Sequence, residues 1–250
     1  MQSSEFIKAS DMHYYTFLKT LHERRYNTYF EIGSRTGESI SLSNSPSVGI
    51  DPYFSLTHCP ITNKEFCLLF QESADDFFAK SIQKFSALQC ELAFIDGMHL
   101  FEFALRDFIN LSKIASHKPL FLFHDCMPFS FEMTTRDFKS IAMGMPWTGD
   151  IWKLIPILID EGFFKHLNVL DCADTGMLTI FNPDQKIISA LETNLDKIIK
   201  KWTDITLEDF GLSKFYDYQI FKKPDQYLNF LKSENFGEIL IENKKKWISH

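Results

Sequence analysis

The sequence predicts an α/β protein built on a doubly wound, mostly parallel sheet, with a helical extension at its C-terminal end. Three observations carry this. Short runs that are apolar throughout recur between helical stretches, as strands covered on both faces require. Those runs reach or end in acids, Glu31, Asp51, Asp96 and Asp125. The first is followed at once by Gly33 and Gly37, a strand–turn–helix order that brings backbone close to a nucleotide-like ligand.

Taken in order, Tyr14, Phe17, Leu18 and Leu21 recur at helical spacing between about Ser10 and Arg25, with Ser10 or Asp11 as caps. Thr28 to Ile32 is the first strand. The helix after its glycine turn is short, because Asn44-Ser45-Pro46 interrupts it. Val48 to Asp51 is the second strand, Pro52 to Asn63 a loop and Phe66 to Phe70 the third strand. Ser73 caps a helix that runs to about Phe85. Leu92 to Asp96 is the fourth strand, Leu100 to Ala115 an amphipathic helix, and Leu120 to Asp125 the fifth strand.

Met127 to Thr148 has no period and reads as a lid or substrate platform. Gly149-Asp150 opens a helix that Pro156 can kink. Leu167 to Leu170 and Met177 to Phe181 are two strands whose six-residue connection demands an antiparallel hairpin, expected at the sheet edge. Ser189 to Trp202 and Lys214 onward read as helices with solvated lysine faces, and Lys244-Lys245-Lys246 as a wet tail. The expected division is a domain over 1-185 with its extension, 186-250, packed on it.

Composition narrows the class. At 250 residues, 45% hydrophobic and 24% charged, the chain is an ordinary globular protein with a large core. A net charge of -7 offers no footprint for a phosphate backbone, which argues against nucleic acid as a partner. Five cysteines without a C-x-x-C pair suggest neither zinc nor a disulfide set, and point to a reducing cytoplasm. No apolar run reaches the roughly 18 residues of a membrane span, and no signal peptide opens the chain. A homo-oligomer is compatible with this composition.

The strand-ending acids gather on one rim, because ligands of a doubly wound sheet lie outside the carboxyl ends of its strands. Asp51 can accept both hydroxyls of a ribose, its two oxygens matching a vicinal diol. Glu31 faces an ammonium or a ribose. The third glycine of a dinucleotide fingerprint is missing, which favours a nucleoside without phosphates. If the fourth and fifth strands are neighbours, Asp96 and Asp125 lie side by side and need a cation between them. Hard oxygens suit magnesium or calcium. His99, three residues after Asp96, is placed to take a proton from a hydroxyl, and His124 adjoins Asp125.

Glu31-Ile32-Gly33-Ser34-Arg35-Thr36-Gly37-Glu38-Ser39, Val48-Gly49-Ile50-Asp51-Pro52, Phe94-Ile95-Asp96-Gly97-Met98-His99, His124-Asp125-Cys126 and Gly149-Asp150-Ile151-Trp152-Lys153 together resemble the class I S-adenosylmethionine-dependent methyltransferases. The likeness spans about residues 25 to 182. Within that group it is strongest toward the small-molecule O-methyltransferases that include the macrolide-sugar enzymes. The resemblance implies a Rossmann-like, seven-stranded sheet with an antiparallel last strand. It implies S-adenosylmethionine held by Glu31, Gly33, Ser34, Gly37, Ser39, Asp51, Ser73 and Asp96. A magnesium ion on Asp96 and Asp125, with His124 beside them, and His99 as general base are further implications. Catechol-type relatives carry an Asp-Asn pair where this chain has Asp125-Cys126.

The expected function is therefore a metal-assisted O-methyltransferase acting on a hydroxyl of a free or nucleotide-linked sugar or a glycan precursor. Phe129, Phe131 and Trp147 would line its acceptor pocket. Asp150 caps its own helix or meets the acceptor. An NAD-type oxidoreductase or a non-catalytic Rossmann-like binding module is the competing reading. It leaves Asp96 and Asp125 unexplained.

Overall fold

A computed structural model describes residues 5–85, 87–218 and 221–239. The seven predicted strands all form. They are β1 (Tyr29–Ile32), β2 (Ser47–Ile50), β3 (Cys67–Phe70), β4 (Cys90–Ile95), β5 (Ala115–His124), β6 (Leu167–Leu170) and β7 (Met177–Phe181). A two-residue strand, β8 (Phe221–Lys222), adds to them, and the spatial order is β3-β2-β1-β4-β5-β7-β6-β8. All neighbours are parallel except those of β7, which runs antiparallel to both β5 and β6.

The antiparallel hairpin is thus present, but its place differs from expectation. β7 lies inside the sheet and β8 takes the edge. The long connection from β5 sets β6 down one position away, and the short turn folds β7 back into the gap.

Successive side chains along a strand point to opposite faces, and here both faces are buried. Phe30, Ile32, Ala93, Ile95, Phe121 and Phe123 pack under one helical layer. It is formed by α3 (Ala74–Lys80), α4 (Phe101–Ser112), α5 (Leu154–Asp160) and α6 (Gln185–Trp202). Tyr29, Leu92, Phe94, Leu120 and Leu122 pack on the other side. There they meet α1 (Tyr14–Leu21), α2 (Glu38–Ser41) and, beyond α7 (Leu207–Phe210) and α8 (Leu212–Asp217), α9 (Pro224–Ser233). The segment after residue 185 therefore supplies cover to both faces.

Several element ends differ from the sequence expectation for local reasons. α1 begins at Tyr14, not Ser10, and its cap is the His13 ring, which accepts from the Tyr15 amide. The residues before it, Met12–His13, pair instead with Cys172–Ala173. β5 starts at Ala115, five residues early, where Ala115 pairs with Cys90. Pro156 causes no interruption, because it lies in the first turn of α5, where its missing N–H is one of the donors a helix leaves unpaired anyway. Lys244-Lys245-Lys246 lie outside the described residues. Among the described residues no helix is long and apolar enough to cross a membrane.

Candidate active site

Strand order reverses between β1 and β4, and the glycine turn leaves β1 at that point. Gly33 has φ +92°, and a Cβ on it would lie 2.0 Å from the Asp96 carbonyl oxygen. The exit of the neighbouring strand thus requires glycine there, in addition to any approach by a ligand. Gly37, at φ +77°, caps α2, and a Cβ on it would lie 3.0 Å from the His58 carbonyl oxygen.

Glu31 is placed differently from the expectation of a ligand-facing acid. It is fully buried, with Oε2 accepting from the Tyr29 hydroxyl (2.5 Å) and Oε1 from the Ser39 hydroxyl (2.7 Å). Burial pushes its carboxyl up to about 7, against the pull of those hydroxyl donors. Glu31 and Ser39 therefore tie β1 to α2 behind the turn. The Ser34 hydroxyl donates to the Glu31 carbonyl at 3.3 Å.

Asp51, at the end of β2, accepts from the Arg35 amide (3.0 Å) and the Tyr53 amide (2.7 Å), one on each oxygen. This holds the glycine turn to the next strand and leaves each oxygen a further acceptor site for a diol. Ser73 does the work of a cap: its hydroxyl accepts from the Asp76 amide and donates to the Asp76 carboxylate.

β4 and β5 are parallel neighbours with Ile95 opposite Phe123, so Asp96 and His124-Asp125 leave the sheet together. The Asp96 Oδ1 atom lies 3.4 Å from His99 Nε2 and 3.4 Å from His124 Nδ1. Asp125 Oδ2 lies 3.2 Å from His99 Nδ1, and its Oδ1 accepts from the Thr175 hydroxyl at 2.6 Å. The chain turns there through a left-handed Asp125, φ +60°. Two carboxylates and two imidazoles thus form one cluster on the rim.

Its electrostatics follow from that pairing. Burial would push His99 down, but Asp96, Asp125 and the Trp147 carbonyl, 2.7 Å from Nδ1, outweigh it and raise the ring to about 9. With an acceptor at each ring nitrogen, the imidazolium is the form these neighbours favour. His124 is likewise raised, its burial opposed by the same two acids. Asp96 shows the converse: burial alone would raise it, and the two histidines hold it well below the usual carboxylate range.

The donor set also fits a divalent cation. One ligand atom from each of Asp96, His124 and Asp125 lies within 4.8 Å of the others, and adjacent acids need positive charge between them. Two carboxylates suit magnesium or manganese, and the imidazole adds a nitrogen that must lose its proton to bind. His99 adjoins this set.

Sequence reasoning missed several neighbours. The Tyr14 ring lies 4.1 Å from the His124 ring, brought there by the Met12–His13 pairing. Trp147, one of the aromatics expected near the acceptor, stacks on His99 at 5.1 Å. Of the other two aromatics expected there, Phe131 packs edge-on against Phe6 and Phe129 faces the Lys8 ammonium. Asp150 caps neither its own helix nor an open site. Its Oδ1 accepts from the Phe101 amide (2.9 Å), which caps α4, while Oδ2 meets Lys153 (2.9 Å) and Arg136. Tyr14 and Thr175 carried no signal, because short backbone pairings and a turn set their positions.

No protein-family model matches the chain, and no curated protein matches it. Solved structures do. An O-methyltransferase from Bacillus cereus in complex with SAH aligns at 11% identity and TM-score 0.46, over 73% of this chain and 84% of that one. TomG from Streptomyces achromogenes, an O-methyltransferase in complex with SAM, aligns at 13% identity and TM-score 0.47, over 68% and 80%. MycE, a methyltransferase of mycinamycin biosynthesis in complex with Mg and SAH, aligns at 13% identity and TM-score 0.42, over 67% of this chain and 47% of its own.

Proposed function

We propose that this chain is an S-adenosylmethionine-dependent O-methyltransferase, assisted by a divalent cation, whose acceptor is a hydroxyl of a sugar or glycan precursor. We read residues 1-185 as the transfer domain and 186-250 as its packed extension. The observation that carries this reading is the convergence of Asp96, Asp125, His99 and His124 beside the glycine turn. An oxidoreductase or passive binding module leaves that cluster without a task.

The glycine turn, with the Asp51 carboxylate beside it, would hold the nucleoside of the donor. Methyl transfer is an in-line displacement. A C–O bond forms to the acceptor, the C–S bond breaks, and the sulfur keeps the electron pair as a thioether. The acceptor's proton goes to His99, which lies where the cluster opens and needs to be neutral to take it. Asp96, Asp125 and His124 would hold the cation, preferably magnesium, whose charge lowers the pKa of a neighbouring hydroxyl and takes over the carboxylate charge that otherwise keeps His99 protonated. Trp147, stacked on His99, offers a face to the apolar side of a sugar ring.

The test is methyl transfer from labelled S-adenosylmethionine to a panel of sugars and nucleotide-linked sugars, with and without chelator. We expect transfer that chelation stops and magnesium restores. Transfer indifferent to chelator and intact in His99→Ala would remove the mechanism. Raised melting temperature with NAD but not with S-adenosylhomocysteine would favour the oxidoreductase instead.

A further inference from the structure

The segment Trp147 to Asp150 lies against both the ring and the backbone of His99. The Trp147 carbonyl lies 2.7 Å from the ring Nδ1, and the Trp147 ring stacks on its face. The Asp150 amide donates to the His99 carbonyl at 3.1 Å. Between them Gly149, at φ +53°, comes so close that a Cβ would sit 1.7 Å from that carbonyl oxygen.

What fixes this segment is a buried ionic knot. The Asp150 side chain is 2% exposed and binds the Lys153 ammonium and the Arg136 guanidinium with one oxygen and the Phe101 amide with the other. Lys153, equally buried, also donates to the carbonyls of Trp202 and Thr203, which end α6. Arg136 reaches Glu102 on α4. The carboxylate thus fastens the loop before the site to the starts of α4 and α5, and Lys153 extends the knot to the end of α6. Such a knot adds little net stability over an apolar core, yet removing one partner leaves an uncompensated buried charge. Its value lies in geometry.

We propose that Asp150 is a positioning residue for His99: it acts through the Trp147–Asp150 backbone to fix the orientation of the imidazole in the cluster, without touching substrate or cation. This rests on the methyltransferase reading for its catalytic consequence, but the positional claim stands on the contacts above.

The experiment uses the full chain labelled with 15N-histidine, the ring signals of His99 being identified by their loss in His99→Gln. Asp150→Asn keeps an acceptor for the Phe101 amide and loses the charge. We expect its His99 ring signals to move while S-adenosylhomocysteine still raises the melting temperature. In methyl transfer, kcat should fall roughly 10- to 100-fold with the KM for S-adenosylmethionine changed less than about twofold, as for a misplaced but intact catalytic group. Should Asp150→Asn fail to fold, Arg136→Gln, at a one-third exposed side chain, carries the same test with a smaller shift. His99 signals identical to wild type in the folded variant would overturn the proposal, whatever the activity. Displaced signals in a protein whose wild type transfers no methyl group would leave the positioning role standing and the function refuted.

Discussion

Two histidine environments in this molecule point in opposite directions. His99 and His124, on the carboxyl rim of the sheet, are raised because Asp96 and Asp125 outweigh the cost of burial. His22, at the end of α1, is 1% exposed and pushed down to about 3, burial being the larger cause and the Lys64 charge the smaller. Among the described residues neither of its ring nitrogens has a hydrogen-bond partner, and Tyr26 and Tyr29 meet it edge to face. Loss of water opposes the charged ring in both environments, and the partner decides the outcome. A rim imidazole is a group prepared to exchange a proton or a ligand, and His22 is an aromatic filler with two silent nitrogens.

The strongest challenge to this contrast is His99→Ala, which should lower methyl transfer roughly 10²- to 10⁴-fold, the usual contribution of a positioned acid–base group. A loss under about threefold in kcat would make His99 another passive ring. Next comes Asp96→Asn. Saturating magnesium or manganese should raise the wild-type melting temperature, by the equivalent of about 2.7 kcal/mol at a hundred times the dissociation constant. The variant should show almost none of that rise by calorimetry, and an equal rise would place the cation elsewhere.

His22→Phe tests the other side. Because the folded pKa lies below the unfolded one, the unfolded chain binds the proton first. His22 therefore costs stability progressively as pH falls below about 6.5, and the loss is complete near 3. Urea unfolding should show the wild type losing about 2 kcal/mol from this group between pH 7 and pH 5, a slope that His22→Phe removes. A slope of equal size in the variant would show that other groups cause it and that His22 is not held neutral by burial. Smallest is Ser39→Ala, which takes one hydroxyl from buried Glu31 and should cost about 1 kcal/mol. That hydroxyl supports the ionised carboxylate, whose folded pKa is raised to about 7. The cost should thus be larger at pH 8 than at pH 6, and equal costs would mean that Glu31 does not titrate between them.

Much of this was legible in the sequence because it follows from period and composition. Apolar runs such as Phe94-Ile95 and Phe121-Leu122-Phe123 can only be strands buried on both faces, and acids at their ends fall on one rim. The convergence of Asp96, His99, His124 and Asp125 follows once β4 and β5 are neighbours. What stayed hidden depends on backbone pairing or on side chains reaching across the fold. β8 is two residues long and has no period to read. The insertion of β7 between β5 and β6 is a choice between two topologies that one short turn permits equally. Glu31 reads like the other rim acids, but its carboxylate is turned inward onto the Tyr29 and Ser39 hydroxyls. Asp150 stands at the start of a helical pattern, so capping its own helix was the local expectation. It caps α4 instead, 49 residues away in sequence.

The glycine that lies against His99 has a bearing on how the protein could be altered. Gly144 also has a positive φ, +83°, but a Cβ there would meet nothing within 4 Å, so only the backbone objects to a substitute. At 149 the neighbour itself is in the way. In a saturation library the first position should accept asparagine or aspartate, residues that tolerate left-handed backbone. The second admits a single letter of the alphabet, and redesign of the 127–148 loop would have to treat it as a hinge pin around which everything else is varied.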